Sequence, residues 1–208
     1  MTNSLLAEIV QGCEALDLSL SDEQYGLLQR YVELLDKWNK VYNLSSIRDP
    51  HEMVSRHILD SLSILPYLSG DSLLDVGTGA GLPGIPLAIA RPDLAVTLLD
   101  TNSKKTRFLQ QVKAELALDN ISVVHARVEE AKLDKFAMIT TRAFASLQDI
   151  IALTGQHCDD AGCLLLMKGV APDEELDAIT AEFKLKDVVA LDVPGCDGQR
   201  HLIRLSKG

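Results

Sequence analysis

A predicted strand, a glycine-rich turn and a predicted helix follow one another between residues 72 and 90. The strand is Ser72–Val76, the turn has glycine at positions 77, 79, 81 and 84, and the helix is expected from about Gly84 to Ala90. Glycines placed here let the backbone turn sharply and approach a ligand closely, and the helix start offers free N–H groups. In a doubly wound sheet such a turn lies at the carboxyl edge of the strands, where ligands bind. This unit therefore predicts an α/β fold with a ligand site beside the glycines.

Strands and helices continue to alternate after this unit. Helices are predicted over 104–118, about 147–157 and 173–183, and strands separated by helices of this length indicate a parallel sheet covered on both faces. The last two strands are joined only by residues 194–200, too short for a helical crossover, which predicts an antiparallel hairpin. The sequence thus predicts a Rossmann-like α/β domain over 71–208, with a seven-stranded, mostly parallel sheet and a terminal hairpin. The further strands are expected at Ala95–Asp100, 121–124, 136–141, 162–168, 187–193 and 201–206.

Residues 1–70 show three helical patterns and no convincing strand, which predicts an N-terminal helical extension. The second helix has Ser21 as a plausible N-cap with Gln24 three residues on, the spacing of a capping box. The third has Asp49 at the N-cap and Pro50 at the first helical position, and is expected to run toward residue 70. The second helix carries an apolar stripe at 3–4 spacing, formed by Leu28, Tyr31, Leu35, Trp38 and Tyr42. Core packing is the expected role of Trp38 and Tyr42, with base stacking the minority alternative.

The glycine turn is compatible with two cofactors. Gly79-x-Gly81-x-x-Gly84 is formally a dinucleotide pattern, but Asp75 precedes the first glycine of the turn by two residues. A carboxylate there suits the ammonium and sulfonium charges of S-adenosylmethionine better than a pyrophosphate. Asp100, at the end of the second strand, can accept hydrogen bonds from ribose hydroxyls of either cofactor. Residues 71–208 leave no room for a separate dehydrogenase substrate domain, so S-adenosylmethionine is favoured over a dinucleotide, and a turn without any small-molecule role is the third alternative.

The charge of the chain limits its partners. With 20 basic and 30 acidic residues the formal net charge is −10, which excludes a protein that coats nucleic acid non-specifically. The charge is unevenly spread, however, because residues 100–113 carry four basic side chains and one acidic one, and residues 198–208 carry three basic side chains and no acidic one. A local basic face can therefore lie beside the expected ligand site.

The cysteines, the histidines and the first residues of the chain bear on metal binding and on the compartment. The cysteines at 13, 158, 163 and 196 contain no C-x-x-C pair and the histidines no H-x-x-x-H pair, so neither a metal site nor a disulfide framework is expected. The first residues lack the basic start of a signal peptide and no apolar run approaches membrane-spanning length. A cytoplasmic protein with reduced thiols and no membrane partner is expected.

Several sequence blocks together resemble one bacterial family. The Trp-Asn-Lys and Gly-Leu-Pro-Gly-Ile-Pro blocks are highly specific, and the similarity spans nearly the whole chain. The chain resembles the RsmG (glucose-inhibited division protein B) family of class I methyltransferases. The resemblance implies transfer of a methyl group from S-adenosylmethionine to guanine N7 in 16S ribosomal RNA, within the 30S subunit or an assembly precursor. The blocks are 38–44, 56–62, 75–86, 104–109, 127–130, 142–145, 168–169 and 198–201.

The resemblance also implies site residues. Gly77 and Leu82 match positions that line the cofactor, Val128 and Glu129 match the pair flanking its adenine, and Arg142 matches an arginine at the cofactor site. The family usually has Phe-Asp where this chain has Phe136-Ala137, a difference interpreted as tuning and not as loss of activity. Together with the acid and glycine pattern, the expected cofactor residues are Asp75, Gly77, Gly79, Leu82, Asp100, Val128, Glu129 and Arg142.

The implied reaction explains why no catalytic constellation is evident. Guanine N7 has a lone pair and no proton, so its methylation needs no general base, and catalysis can come mainly from orientation. Arg142 is the candidate orienting residue. His57 and Asp60 are interpreted as a local surface or domain-packing pair in preference to a catalytic dyad. The RNA-binding candidates are Lys104, Lys105, Arg107, Lys168 and Arg200.

Other functions and partners stay open at this point. The rival functions are a non-enzymatic module that holds S-adenosylmethionine while binding RNA or assembling ribosomes, and a dinucleotide-dependent oxidoreductase. No DNA partner is expected, and a monomer is favoured.

Overall fold

Seven strands form one mixed sheet in the order β3-β2-β1-β4-β5-β7-β6. The computed structural model describes residues 2–142, 146–170, 179 and 182–208. Neighbouring strands from β3 to β5 are parallel, while β7 is antiparallel to both β5 and β6. This confirms the predicted seven-stranded sheet with its terminal hairpin. The strands are β1 Ser72–Val76, β2 Ala95–Asp100, β3 Ile121–His125, β4 Phe136–Arg142, β5 Cys158–Lys168, β6 Phe183–Ala190 and β7 His201–Lys207.

Two predictions near the C-terminus were wrong in their bounds. The strand expected at 187–193 is β6, which begins at Phe183 and ends at Ala190, because its pairing with β7 extends from Phe183 opposite Lys207 to Ala190 opposite His201. The helix expected over 173–183 lies mostly outside the described residues, and its expected last residue, Phe183, is in β6. β5 also begins at Cys158, four residues before the expected start at 162.

The helices cover both faces of the sheet. Two separate hydrophobic clusters flank it, one around Leu73 and Leu98 and the other around Leu74 and Ile139. The helices are α1 Thr2–Ala15, α2 Asp22–Tyr42, α3 Pro50–Met53, α4 Asp60–Leu62, α5 Gly84–Ala90, α6 Ser103–Leu116 and α7 Leu147–Thr154, with a π-helical segment at Val54–Leu59 and 3-10 turns at Leu65–Tyr67 and Gly155–His157.

The third N-terminal helix starts as predicted and ends earlier than predicted. The side chain of Asp49 accepts a hydrogen bond from the His51 N–H, and Pro50 follows it. After α3 the backbone passes through the π-helical segment into α4, which ends at Leu62. Pro66 lies in the following 3-10 turn; proline has no N–H to donate and disfavours helical geometry in the residue before it. The expected continuation toward residue 70 is therefore wrong.

The N-terminal helices share their core with the sheet. Ile9, Leu28 and Tyr31 belong to the same hydrophobic cluster as Leu73 and Leu98. The Trp38 ring packs 5.6 Å from that of Phe108 in α6, whereas Tyr42, expected on the apolar stripe, is 43% exposed. The boundary between residues 70 and 71 stays a prediction, and the hydrophobic core runs across it.

Gln24 ties α2 to α5. Its backbone N–H and side-chain oxygen complete the capping box with Ser21 at 3.2 and 2.8 Å. Its side-chain amide donates to the carbonyls of Ile89 and Ala90, at 2.9 and 3.0 Å, at the end of α5. One glutamine thus satisfies backbone groups at the start of one helix and the end of another. This fixes α2 against the element that follows the glycine turn.

Candidate active site

The glycine turn closes around the buried carboxylate of Asp75. One carboxylate oxygen accepts hydrogen bonds from the Thr78 hydroxyl at 2.6 Å and from the Gly84 N–H at 2.8 Å. Burial raises the pKa of Asp75 to about 6, and the bonds from Thr78 and Gly84 oppose that rise. A Cβ atom at Gly84 would lie 2.2 Å from Cδ2 of Leu98, so only glycine fits between α5 and the sheet. Asp75 therefore stabilises the glycine turn from its buried side.

Tyr31 supports the same turn from the N-terminal helices. Its ring is fully buried in the core, and its hydroxyl donates to the carbonyl of Ala80 at 2.8 Å. In the sequence, Tyr31 stands only as one member of an apolar stripe. The signal that was missed is chemical, because a buried tyrosine hydroxyl needs a hydrogen-bond partner.

A cavity of about 440 Å³ opens at the carboxyl ends of β1, β2 and β4. We call it the glycine-turn cavity. Five of the eight expected cofactor residues line it, namely Gly77, Asp100, Val128, Glu129 and Arg142.

The other three expected cofactor residues shape the surroundings of this cavity. The Gly79 N–H donates to Asp100 at 2.9 Å, Leu82 is buried in the core, and Asp75 lies under the turn. The structure thus separates residues that face the cavity from residues that build its wall.

Asp100 is a carboxylate of this cavity that hydrogen bonds hold in one orientation. It ends β2 and is 6% exposed. One of its carboxylate oxygens accepts from the Gly79 N–H and the other from the Asn102 N–H at 2.8 Å, while Lys105 Nζ is 3.8 Å away. These contacts orient a carboxylate toward a space large enough for a nucleoside cofactor. The oriented acid, the adjacent apolar Val128 and the volume fit S-adenosylmethionine.

His157 supports the wall of the glycine-turn cavity that contains Val128 and Glu129. It is 6% exposed, and its Nε2 donates to the carbonyl of Val128 at 2.9 Å. This contact fixes the backbone between β3 and β4 where Val128 and Glu129 meet the cavity. No pattern in the sequence connects His157 to residue 128, because 29 residues separate them.

A second cavity, of about 370 Å³, adjoins the first and is strongly cationic. We call it the arginine cavity. Arg142 lines both cavities. Two of the five RNA-binding candidates, Lys168 and Arg200, lie in the arginine cavity together with Arg56, His57 and Asp60.

The other three RNA-binding candidates lie on α6, apart from the arginine cavity. Lys105 lines the glycine-turn cavity, Arg107 lines a shallow groove beside His125, and Lys104 is exposed. The structure thus brings the basic candidates together in two groups and not in one.

His57 and Asp60 were expected to form a local surface or domain-packing pair; both are buried, so the surface location is wrong, and Asp60 instead packs against the sheet through two arginines. His57 Nδ1 is 2.9 Å from the carbonyl of Arg56 and therefore carries the proton, so Nε2 accepts from the Ser45 hydroxyl at 2.7 Å. Burial, followed by the charge of Arg142, lowers the pKa of His57 to about 4. His57 is thus a neutral imidazole with both nitrogens engaged. Asp60 bonds to Arg142 at 2.9 Å and to Arg200 at 3.1 Å.

Within 2–142, 146–170, 179 and 182–208, no three His, Cys, Asp or Glu side chains are placed to hold a metal ion. In the same ranges, no helix has the length and apolar character needed to cross a membrane.

The solved structures that match this fold include methyltransferases. A SAM-dependent methyltransferase of Aquifex aeolicus matches with a TM-score of 0.58 at 15% identity, over 80% of this chain and 97% of that one. TYW2 of M. jannaschii, solved in complex with AdoMet, matches with a TM-score of 0.54 at 16% identity, over 72% of this chain and 74% of that one. At these identities the likeness is one of fold. With the glycine turn and Asp100 in place, the chain has the class I methyltransferase fold and a cavity that suits S-adenosylmethionine.

The sequence defines its family more closely. The family model described as GidB, rRNA small subunit methyltransferase G, matches residues 24–203. The ribosomal RNA small subunit methyltransferase G of Stutzerimonas stutzeri (strain A1501) is 52% identical, over 100% of this chain and 98% of that protein. The protein of the same name from Pseudomonas aeruginosa (strain LESB58) is 51% identical, over 96% and 94%. The chain belongs to the rRNA small subunit methyltransferase G family, which confirms the resemblance drawn from its sequence.

Proposed function

We propose that this protein transfers a methyl group from S-adenosylmethionine to N7 of one guanine in 16S ribosomal RNA. The names of its relatives state a ribosomal RNA small-subunit substrate, and the guanine N7 target is what the family resemblance implies. The observation that carries the proposal is the pair of adjoining cavities with Arg142 in the wall of both. One is lined by an oriented carboxylate and the other by cations, which suits a nucleoside cofactor beside an RNA backbone.

The cofactor residues are assigned to two roles in this proposal. Gly77, Asp100, Val128, Glu129 and Arg142 contact the cofactor, since they line the glycine-turn cavity. Asp75, Gly79 and Leu82 keep the turn in shape. Asp100 accepts the ribose hydroxyls, because two backbone N–H groups already hold its carboxylate in one orientation.

The RNA residues are assigned in the same way. Lys168 and Arg200 lie in the arginine cavity and bind phosphates next to the methylated base, because nucleic-acid backbones are bound mainly through cationic side chains. Lys104, Lys105 and Arg107, near the start of α6, bind phosphates farther along the RNA. The partner is the 30S subunit or a precursor of it, the compartment is the cytoplasm, and the acting form is a monomer.

The proposed reaction requires orientation and no proton transfer. S-adenosylmethionine, when bound, supplies a methyl group on a positively charged sulfur. Guanine N7 presents a lone pair without a proton, so no side chain has to act as a base. His57 agrees with this, because Ser45 and the Arg56 carbonyl occupy both of its nitrogens. Holding the two reacting groups in line can supply up to about 7–11 kcal/mol of the barrier, and in this proposal Arg142 does part of that work.

The test is methyl transfer from radiolabelled S-adenosylmethionine to 16S RNA, assembly intermediates and 30S subunits that lack the modification. We expect one labelled guanine, identified as N7-methylated by strand cleavage chemistry specific for that product. Arg142→Ala should lower the rate, whereas Arg91→Ala, which removes a surface ion pair with Asp93, should leave it within about twofold.

Two results would contradict the proposal. Label at another atom or in another RNA would refute the assigned target. Binding of S-adenosylmethionine and of 30S subunits without any transfer would support the non-enzymatic alternative.

A further inference from the structure

The arginine cavity contains a buried carboxylate, Asp60, that the proposed function does not use. Asp60 is 4% exposed and belongs to the N-terminal helices. Its Oδ2 accepts from Arg142 at 2.9 Å and its Oδ1 from Arg200 at 3.1 Å. Each oxygen therefore holds one guanidinium, and the two arginines come from opposite sides of β5 in the sheet.

The π-helical segment completes the support of Arg142. Arg142 Nη1 also contacts the carbonyl of Arg56, at 3.2 Å. Arg56 lies within the π-helical segment Val54–Leu59, a geometry that occurs frequently at functional sites. The same guanidinium group thus meets a carbonyl and a carboxylate that are four residues apart in the N-terminal helices. Both are needed to fix a long side chain at the wall between two cavities.

The charge balance of the arginine cavity gives the carboxylate a second effect. Among the described residues that line it, four carry a permanent positive charge, Arg56, Arg142, Lys168 and Arg200, and one, Asp60, is negative. Positive charge develops on a purine as N7 is methylated, so an unbalanced guanidinium beside it is unfavourable. Pairing with Asp60 lets Arg142 stay close to the base while its charge is largely neutralised.

We propose that Asp60 is a positioning residue that holds Arg142 in the wall between the glycine-turn cavity and the arginine cavity, and Arg200 beside it in the arginine cavity. This inference rests on the proposed function for its catalytic consequence and on the glycine-turn cavity for its effect on cofactor binding. The effects of Asp60 pass through the two arginines.

A mutant cycle tests this arrangement. Asp60→Asn keeps the shape but removes the charge, and we expect kcat/KM on 30S subunits to fall about 100-fold, the effect of misplacing a reacting group by about 1 Å. Asp60→Glu restores the charge and should recover at least about tenfold of that loss. In an Arg142→Ala/Arg200→Ala background, Asp60→Asn should change the rate less than about twofold, because the residues it acts through are gone.

Cofactor affinity, measured by calorimetry without RNA, gives a readout independent of methyl transfer. Asp60→Asn and Arg142→Ala should each weaken S-adenosylmethionine binding by about tenfold, and the double variant should be no weaker than the weaker single variant. The matched control is Asp187→Asn, which breaks another carboxylate–arginine pair, with Arg204 between β6 and β7, and should change neither readout. The calorimetric stoichiometry also counts folded protein, so loss of fold is separated from loss of positioning.

The outcomes separate this inference from the proposed function. Wild-type protein that binds S-adenosylmethionine but methylates no guanine N7 refutes the proposed function, and the calorimetric cycle then decides on Asp60. Independent, multiplicative effects of Asp60→Asn and Arg142→Ala would overturn the positioning role. So would wild-type affinity and rate in Asp60→Asn, or an equal loss in Asp187→Asn.

Discussion

Replacing His57 with glutamine should make the stability of the protein less sensitive to acid. His57 is buried, and its pKa is lowered from 6.5 to about 4. In the unfolded chain the imidazole titrates near its ordinary value, so between pH 6.5 and pH 4 the unfolded state binds more protons than the folded state. A histidine with a lowered pKa stabilises the fold fully above pH 6.5, and this stabilisation is lost as the pH falls through that window. Glutamine does not titrate and removes this dependence.

The size of the effect follows from the two pKa values. Between pH 7.5 and pH 5, His57 should lower the free energy of unfolding by about 2 kcal/mol, from about 1.36 kcal/mol per unit of pKa difference across that window. The assay is urea unfolding of wild type and His57→Gln at both pH values, followed by the fluorescence of Trp38, the single tryptophan of the chain. Wild type should lose about 2 kcal/mol more than the variant over this interval. Loss of the hydrogen bond to Ser45 lowers the stability of His57→Gln by the same amount at both pH values, so it does not affect the difference between the two pH values.

A second histidine provides the control with opposite sign. His51 is exposed, and its hydrogen bond to Glu8 raises its pKa. Its stabilisation is present at low pH and is lost as the pH rises, so His51→Gln should make the protein relatively less stable at pH 5. If the free energy of unfolding depended equally on pH in wild type and in His57→Gln, the interpretation of His57 as a buried neutral imidazole would be refuted. A steeper dependence in His57→Gln would refute it as well.

Two further variants test how the site is built. Gly84→Ala places a methyl group 2.2 Å from Leu98 Cδ2 and 2.8 Å from Asp75 Oδ2, so it should lower the free energy of unfolding by about 1–3 kcal/mol and weaken S-adenosylmethionine binding in calorimetry. In the control Gly26→Ala, where no atom lies within 4 Å, the free energy of unfolding should rise by up to about 1 kcal/mol. Equal effects of the two variants would contradict the close packing inferred at Gly84. Gln24→Glu keeps an oxygen for the capping box but replaces the amide that donates to Ile89 and Ala90, so urea unfolding should show a loss of about 1–3 kcal/mol, and wild-type stability would show that this link to α5 is unimportant.

The elements around the glycine turn could be predicted because their signals are local. β1, α5 and β2 have the bounds that the sequence predicted, since apolar periodicity and a glycine-rich turn fix each boundary within a few residues. β6 was misplaced because its sequence Phe183–Ala190 places lysines between apolar residues, and only its pairing with β7 decides where it begins. Strand pairing is a long-range property that an isolated segment does not carry.

The site likewise contains residues that local sequence signals predicted and residues that only long-range contacts bring in. The residues expected from the turn and the strand ends meet around one cavity, because parallel strands bring their carboxyl ends to a common edge. The bond from Asp60 to Arg142 spans 82 residues, that from Asp60 to Arg200 spans 140, and that from Tyr31 to Ala80 spans 49. No periodicity relates such positions, so sequence reasoning assigned Asp60 to a local pair and missed its partners.

These long-range contacts bring the N-terminal helices into the wall of the arginine cavity. The described residues lining the glycine-turn cavity all lie between Val76 and Leu153, within the sheet and its connections. The arginine cavity instead has one wall from the N-terminal segment, including Ser46 and Asp60, and another from the ends of β4, β5 and β7. In the proposed function, the residues that contact the cofactor therefore lie in the sheet and its connections, while RNA binding also depends on contacts between the helical segment and the sheet. A change that moves the helices relative to the sheet should then alter RNA binding directly, and cofactor binding only through the contacts of Tyr31 with Ala80 and of Asp60 with Arg142.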